Sequence, residues 1–198
     1  MRDRVRQTVS DGILDAAEEV VAERGLHGAG MAVIAGRAGV AVGTVYNHFE
    51  DRDSLMRALF RARRAVISPA IAALGQAHSN GPFEARLRGF AADVMGLFEQ
   101  HRRFVKVALE AEHLKAEGAR AGRPVMNAMA EAARDILAAG AAEGVVAAGD
   151  VDRLARLLLG AIRGLLLYRL QAGGAFTEDA DLLVQVFLHG VEAGKGRP

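Results

Sequence analysis

No cysteine occurs anywhere in the 198 residues, which excludes disulfides and thiolate metal sites and fits a reducing, cytoplasmic setting. An excess of charge is missing too, since 25 Lys and Arg face 24 Asp and Glu. Residues 1–64 hold ten basic and nine acidic side chains, and residues 65–198 hold fifteen of each. Bulk charge therefore gives no argument for a nucleic-acid partner, and any such case must rest on local chemistry. Long uncharged apolar runs are also absent. The most apolar stretch, LARLLLGAIRGLLLYRL, is interrupted by Arg156, Arg163 and Arg169, whereas a membrane span needs roughly 20 nearly uncharged residues. It reads as a buried helix, and no membrane partner is expected. The opening MRDRVRQTVSDG has no apolar centre of the kind a signal peptide needs. No phosphate-binding glycine loop, HExxH or GxSxG is found, so neither an enzyme nor a cofactor is expected.

Apolar residues recur at helical spacing almost throughout, with no convincing strict alternation, which predicts an all-α chain. A first helix is expected from about Thr8 to Arg24, with Ile13, Leu14, Ala17, Val20 and Val21 on one face and Gly25 ending it. A short second helix carries Met31, Ile34, Ala35 and Ala38 and stops at Gly39. A third begins near Ala41 or Val42, with Val45 and Phe49 inward. A fourth is expected from Asp53 as N-cap. Gly81-Pro82 marks a break. Further helices follow at about 83–100, 102–115, 124–141, 151–172 and 178–193, with Pro124 in a first turn and Asp150 and Thr177 as N-caps. Residues 1–64 then form a compact head and residues 65–198 a helical body.

The informative segment is GMAVIAGRAGVAVGTVYNHFEDRDSL, residues 30 to 55. Two short helices flank Ala38-Gly39-Val40, where glycine permits the left-handed corner of a helix-turn-helix and Val40 fills the angle. Val42, Gly43, Thr44, Tyr46, Asn47 and His48 cluster at the start or on the outer face of the second helix. That arrangement suits a helix presenting its N-terminal end to the major groove of DNA. Gly43 allows close approach to phosphate, Thr44 and Tyr46 offer hydroxyls, and Asn47 and His48 offer hydrogen-bonding edges.

From Ile13 to Leu59 the chain resembles the DNA-binding head of the tetracycline-repressor (TetR) family. The resemblance rests on ILDAAEEVVAERG, on IAGRAGVAVGTVYNHF, on the pair Asp51-Arg52 and on Leu55. It implies a three-helix head and a variable helical body that forms a homodimer and holds a small-molecule pocket. It also implies a double-stranded, pseudo-palindromic operator from which an unknown effector releases the protein. Ala41 to His48 become the recognition helix, so Ala41, Val42, Gly43, Thr44, Tyr46, Asn47 and His48 are the expected DNA-binding residues. Arg52 stands where a lysine touching the DNA backbone is common, and Phe49 is expected in the core.

The departures from the family pattern have consequences. Ala29, Gly30 and Ala41 occupy positions where serine or threonine commonly caps a helix, and losing such a cap to alanine costs about 1 kcal/mol. Val42 replaces a frequently polar or basic residue, which favours apolar contact with a thymine methyl. Arg4 and Arg6, with Arg2, form a basic arm expected to add phosphate contacts.

The body carries no motif that fixes a ligand. Met95, Phe98, Phe104, Met126 and Met129 are candidate effector-pocket residues, although such side chains at helical spacing also make ordinary core. Leu158, Leu165, Leu183, Val186, Phe187 and Gly190 are the expected dimer contacts, because the last two apolar stripes are wider than one neighbouring helix would cover. His101 and His113, with Glu110 and Glu112 nearby, lack the three or four convergent ligands of a metal site, and no metal is expected. The reading is a DNA-binding transcriptional regulator, a repressor in the commonest form of the family. An effector-independent architectural DNA-binding protein is the alternative.

Overall fold

The computed structural model describes the backbone of residues 2–113 and 118–191 and the side chains of residues 3–111 and 125–188. Every regular element among them is helical. The α-helices are α1 (Arg2–Gly28), α2 (Met31–Ala38), α3 (Val42–His48), α4 (Arg52–Ala77), α5 (Phe83–Gln100), α6 (Arg102–His113), α7 (Gly118–Ala142), α8 (Val151–Ala172) and α9 (Ala180–Val191). Short 3-10 turns at Ala148–Asp150 and Phe176–Asp179 precede α8 and α9.

Contacts divide the chain into two units. The first gathers α1, α2, α3, the part of α4 up to Val66, and α6; the second gathers α4 from Ile67, α5, α7 from Pro124, α8 and α9. Helix α6, remote from the head in sequence, clusters with it. Ile13, Ala17, Val20, Val21, Ile34, Val45, Leu55 and Leu59 form the core of the first unit, each fully or almost fully buried. Leu87, Phe90, Val94, Leu137, Leu158 and Phe176 do the same in the second. These are the inward positions of the 3.6-residue pattern, and their removal from water is the main driving force for each unit.

Several boundaries differ from those read off the chain, each for a local reason. Helix α1 begins at Arg2, so the basic arm is its first turns. The cap of α4 is Asp51 rather than Asp53. Asp51 Oδ1 accepts the Ser54 N–H at 2.6 Å, and Ser54 Oγ accepts the Asp51 N–H at 3.1 Å, a reciprocal pair that satisfies two donors at the helix start. Pro69 lies inside α4, where it removes one backbone donor without ending the helix. Helix α7 starts at Gly118, so Pro124 is not in its first turn. Asp150 precedes α8 without a side-chain cap bond and instead accepts from Arg153 at 3.2 Å. Thr177 sits within a 3-10 turn, whose start is held by Glu178 accepting the Ala175 N–H at 3.0 Å.

Candidate DNA-binding surface

The corner between α2 and α3 is built as the glycine predicted. Gly39 adopts φ 69° and ψ 27°, and its N–H closes the end of α2. A side chain in that left-handed region is strained, so glycine is the natural residue there. Val40, half-buried, follows it and donates its N–H to Ala35 O at 3.1 Å. Helix α3 is then anchored by Val45, fully buried, and by Phe49 just beyond its end. With those two inward, the helix must turn its other side outward.

That outer side carries the residues expected to meet DNA. Tyr46 is 53% exposed and Val42 40% exposed. Ala41, Gly43 and Asn47 are exposed, whereas Thr44 and His48 are half-buried. The His48 ring lies 6.2 Å from that of Phe49 in a tilted arrangement, so it rests partly on the head's own core. Neither α2 nor α3 has a side-chain cap: Gly30 and Ala41 both take the extended conformation of an N-cap without supplying an acceptor. No side-chain cap therefore covers the N–H groups of Val42 and Gly43 at the start of α3, whereas the Thr44 N–H bonds to Ala41 O at 2.9 Å.

The cations of the head divide into two groups. Arg4 and Arg6 are exposed on the first turns of α1. Arg37, at the end of α2, is held by α1: it donates to both carboxylate oxygens of Glu23, at 2.9 and 2.6 Å, and to Glu19 at 3.2 Å. These hydrogen bonds raise the Arg37 pKa further and lower that of Glu23. Arg52, expected to touch the DNA backbone, is turned onto backbone carbonyls of the head itself. Its Nε donates to Ala29 O at 3.0 Å, its Nη2 donates to Leu26 O, and its Nη1 lies 3.7 Å from Asp53. A guanidinium so turned onto carbonyls ties α4 to the segment before α2. Periodicity could not reveal this role, because it depends on carbonyls that only the fold brings near.

The remaining candidates are distributed as follows. Met95, Phe98 and Met129 belong to the buried core of the second unit, and Met126 is half-buried. Phe104 belongs to the first unit, where it packs edge-on against Phe60 with ring centroids 5.5 Å apart. Of the expected dimer contacts, Leu158, Leu183 and Phe187 are buried within the single chain, Leu165 is half-buried and Val186 is 66% exposed. The surroundings of Gly190, in the last turn of α9, lie outside the described residues. The exposed apolar stripe instead runs through Leu157, Ala161, Gly164 and Tyr168 on α8, and through Leu182 and Val186 on α9. Their spacing, i, i+4, i+7 and i+11, keeps the α8 members on one face. Leu158 lies one residue, about 100° of helix, from this open face.

Residues 13–59 match the family described as bacterial regulatory proteins, tetR family. Residues 80–191 match the tetracyclin repressor-like C-terminal domain. The fatty acid metabolism regulator protein of Bacillus subtilis (strain 168) is 43% identical over 51 residues, 26% of this chain and 26% of that protein. The HTH-type transcriptional regulator BetI of Escherichia coli is 34% identical over 88 residues, 44% of each chain. The chain thus matches less than half the length of these curated relatives. In structure it is similar to the transcriptional regulator FadR from Bacillus subtilis in complex with stearoyl-CoA. The TM-score is 0.74 at 21% identity, covering 91% of this chain and 98% of that one. No described helix is long and apolar enough to cross a membrane.

Proposed function

This chain belongs to the TetR family of bacterial regulatory proteins, a family of DNA-binding regulators rather than enzymes, and on that premise we propose that it is a sequence-specific transcriptional repressor that binds its operator as a homodimer. The observation that carries the reading is helix α3: Val45 and Phe49 lock one side into the core while Val42, Gly43, Tyr46 and Asn47 stand exposed on the other. A short helix so held offers its uncapped N-terminal donors to phosphate and its side chains to base edges. Arg4 and Arg6 supply additional phosphate contacts, Thr44 and His48 supply contacts at the rim, and Val42 reads a thymine methyl. Arg52 acts from inside the head.

A second copy of the chain covers the stripe of Leu157, Tyr168, Leu182 and Val186. A contiguous exposed apolar face of this kind marks an interaction site, and Gly160, Ala161 and Gly164 in its centre permit close approach of helices. Two-fold symmetry then presents two recognition helices to two half-sites of a pseudo-palindromic operator. Such a protein works where the chromosome is, in the cytoplasm.

Release follows from a small molecule bound by the body, where a pocket opened among apolar residues such as Met95, Phe98 and Met126 would suit a hydrophobic or amphipathic ligand. The stearoyl-CoA held by the similar FadR structure makes a long-chain acyl-CoA the first probe. A ligand that favours the DNA-free arrangement weakens operator binding by its differential affinity, typically about 1–3 kcal/mol.

The test is selection from random duplex DNA by the purified full chain at moderate salt, followed by sequencing. Recovery of a motif with two symmetry-related half-sites is the expected result. Recovery of duplexes with no common motif favours the effector-independent architectural reading and overturns sequence-specific repression.

A further inference from the structure

Helix α1 is broken near its end at Gly25, whose φ of 74° and ψ of 168° depart from the helix. Two backbone groups flank the break: the carbonyl of Ala22 and the N–H of Leu26, four residues later. In an uninterrupted helix these two bond to each other. Here α6 holds both. Glu110 Oε1 accepts the Leu26 N–H at 2.8 Å, and Lys106 Nζ donates to Ala22 O at 2.6 Å. Lys106 and Glu110 are themselves four residues apart and so stand on one face of α6. The match is one of polarity, a cation on the acceptor and a carboxylate on the donor. Gly25 also makes room for it, since a Cβ there would lie 2.9 Å from Glu110 Oε1.

From the other side, Arg52 at the start of α4 holds Leu26 O and Ala29 O. Residues 26–29, the corner leading into α2, are therefore fixed between α6 and α4. Arg103, in the first turn of α6, adds an ion pair to Glu19 at 2.9 Å, and Glu19 also meets Arg37 of α2. Each contact lies within the first unit. Helix α6 is nevertheless entered from α5 through His101 alone.

We propose that Lys106 and Glu110 form a latch on the α1 corner, positioning residues through which withdrawal of α6 loosens the helix-turn-helix and weakens DNA binding. The proposal rests on the DNA-binding reading above and adds to it a route. Withdrawal of α6 strips the Leu26 N–H and the Ala22 carbonyl of partners together. The corner then relaxes, and Arg52 loses the fixed carbonyls that set the start of α4.

The test uses the full chain and the duplex recovered by selection, with operator affinity measured beside hydrogen exchange at the Leu26 amide. Glu110→Ala is expected to speed that exchange and weaken operator binding about tenfold. Glu110→Gln, whose amide oxygen still accepts, is expected to stay within about twofold of the parent in both measurements. Lys106→Met keeps the aliphatic stem of an exposed residue and is expected to weaken binding several-fold without lowering the melting temperature. Unchanged operator affinity in Glu110→Ala and Lys106→Met, with Leu26 exchange accelerated, overturns the latch and leaves DNA binding intact. A parent chain that selects no duplex overturns the DNA-binding reading, and the latch with it.

Discussion

The two units leave different surfaces unfinished. In the first, the outer side of α3 is small and mixed, with Val42 beside Gly43 and Asn47 and no side-chain cap at its start, and the exposed Tyr46 is its one large ring. In the second, the exposed face of α8 and α9 is apolar, with Leu157, Tyr168, Leu182 and Val186 each more than half accessible. Hydrogen-bonding groups on a short helix suit a wet, charged partner read by direct contact. An apolar stripe with small residues in its centre suits a dry partner that resembles the protein's own core. The difference separates reading from pairing: one face gives specificity and the other places two such faces on one duplex.

The largest expected effect comes from breaking the pairing face. Val186→Glu sets a carboxylate in each of two symmetry-related positions, where an unpaired buried charge costs several kcal/mol. Self-association should weaken by at least ~100-fold, as sedimentation velocity reads it, while the fold of the single chain is retained because Val186 is 66% exposed in it. Next comes the reading face. Tyr46→Ala should reduce operator affinity about 10- to 100-fold in a fluorescence anisotropy titration and leave the melting temperature unchanged. An effect on dimerisation from Tyr46→Ala, or on monomer stability from Val186→Glu, would blur the division of labour.

A smaller effect concerns what shapes the pairing face. Arg169 near the end of α8 donates two 2.6 Å hydrogen bonds to Asp179, and a third of 2.6 Å to Glu178. The guanidinium holds the Asp179 carboxyl below its ordinary pKa. A carboxylate with a lowered folded pKa gives stability that is fully present above its unfolded value, about 3.9. That stability is lost as pH falls through the lower folded value. Thermal unfolding followed from pH 7 to pH 3 should therefore show an acid loss that Asp179→Asn flattens, its cost already present at neutral pH. An identical acid slope in both proteins would show that the pair contributes nothing. The smallest effect is a gain. Ala41→Ser restores an acceptor at the start of α3 and should stabilise the head by about 1 kcal/mol, read by urea denaturation.

The head was far more legible in the sequence than the body. Gly39, Val40, Val45 and Phe49 have roles set by neighbours a few residues away, so the helix-turn-helix follows from spacing alone. The inward face of α8 was also visible, but its outer boundary was not. Leu157 and Leu158 are equally apolar, and only the packed structure shows that 158 is enclosed and 157 is open. The hold of Arg52 on the head was hidden for a related reason. Its carbonyl partners, at Leu26 and Ala29, have no side-chain signature. Phe104 and Glu110 lie in a stretch that reads as body, and nothing in their own pattern announces that α6 clusters with the head. Local geometry is written in the sequence, whereas long-range partners of backbone groups are not.

The central claim is that α3, presented twice by a symmetric dimer, reads a particular DNA sequence. The most direct measurement is a titration of the selected operator and of a scrambled duplex of equal length and composition, at one moderate salt concentration. The account predicts that the operator binds at least ~10³-fold more tightly and that scrambling one half-site removes most of the difference. Equal affinity for the operator and the scrambled duplex would contradict it.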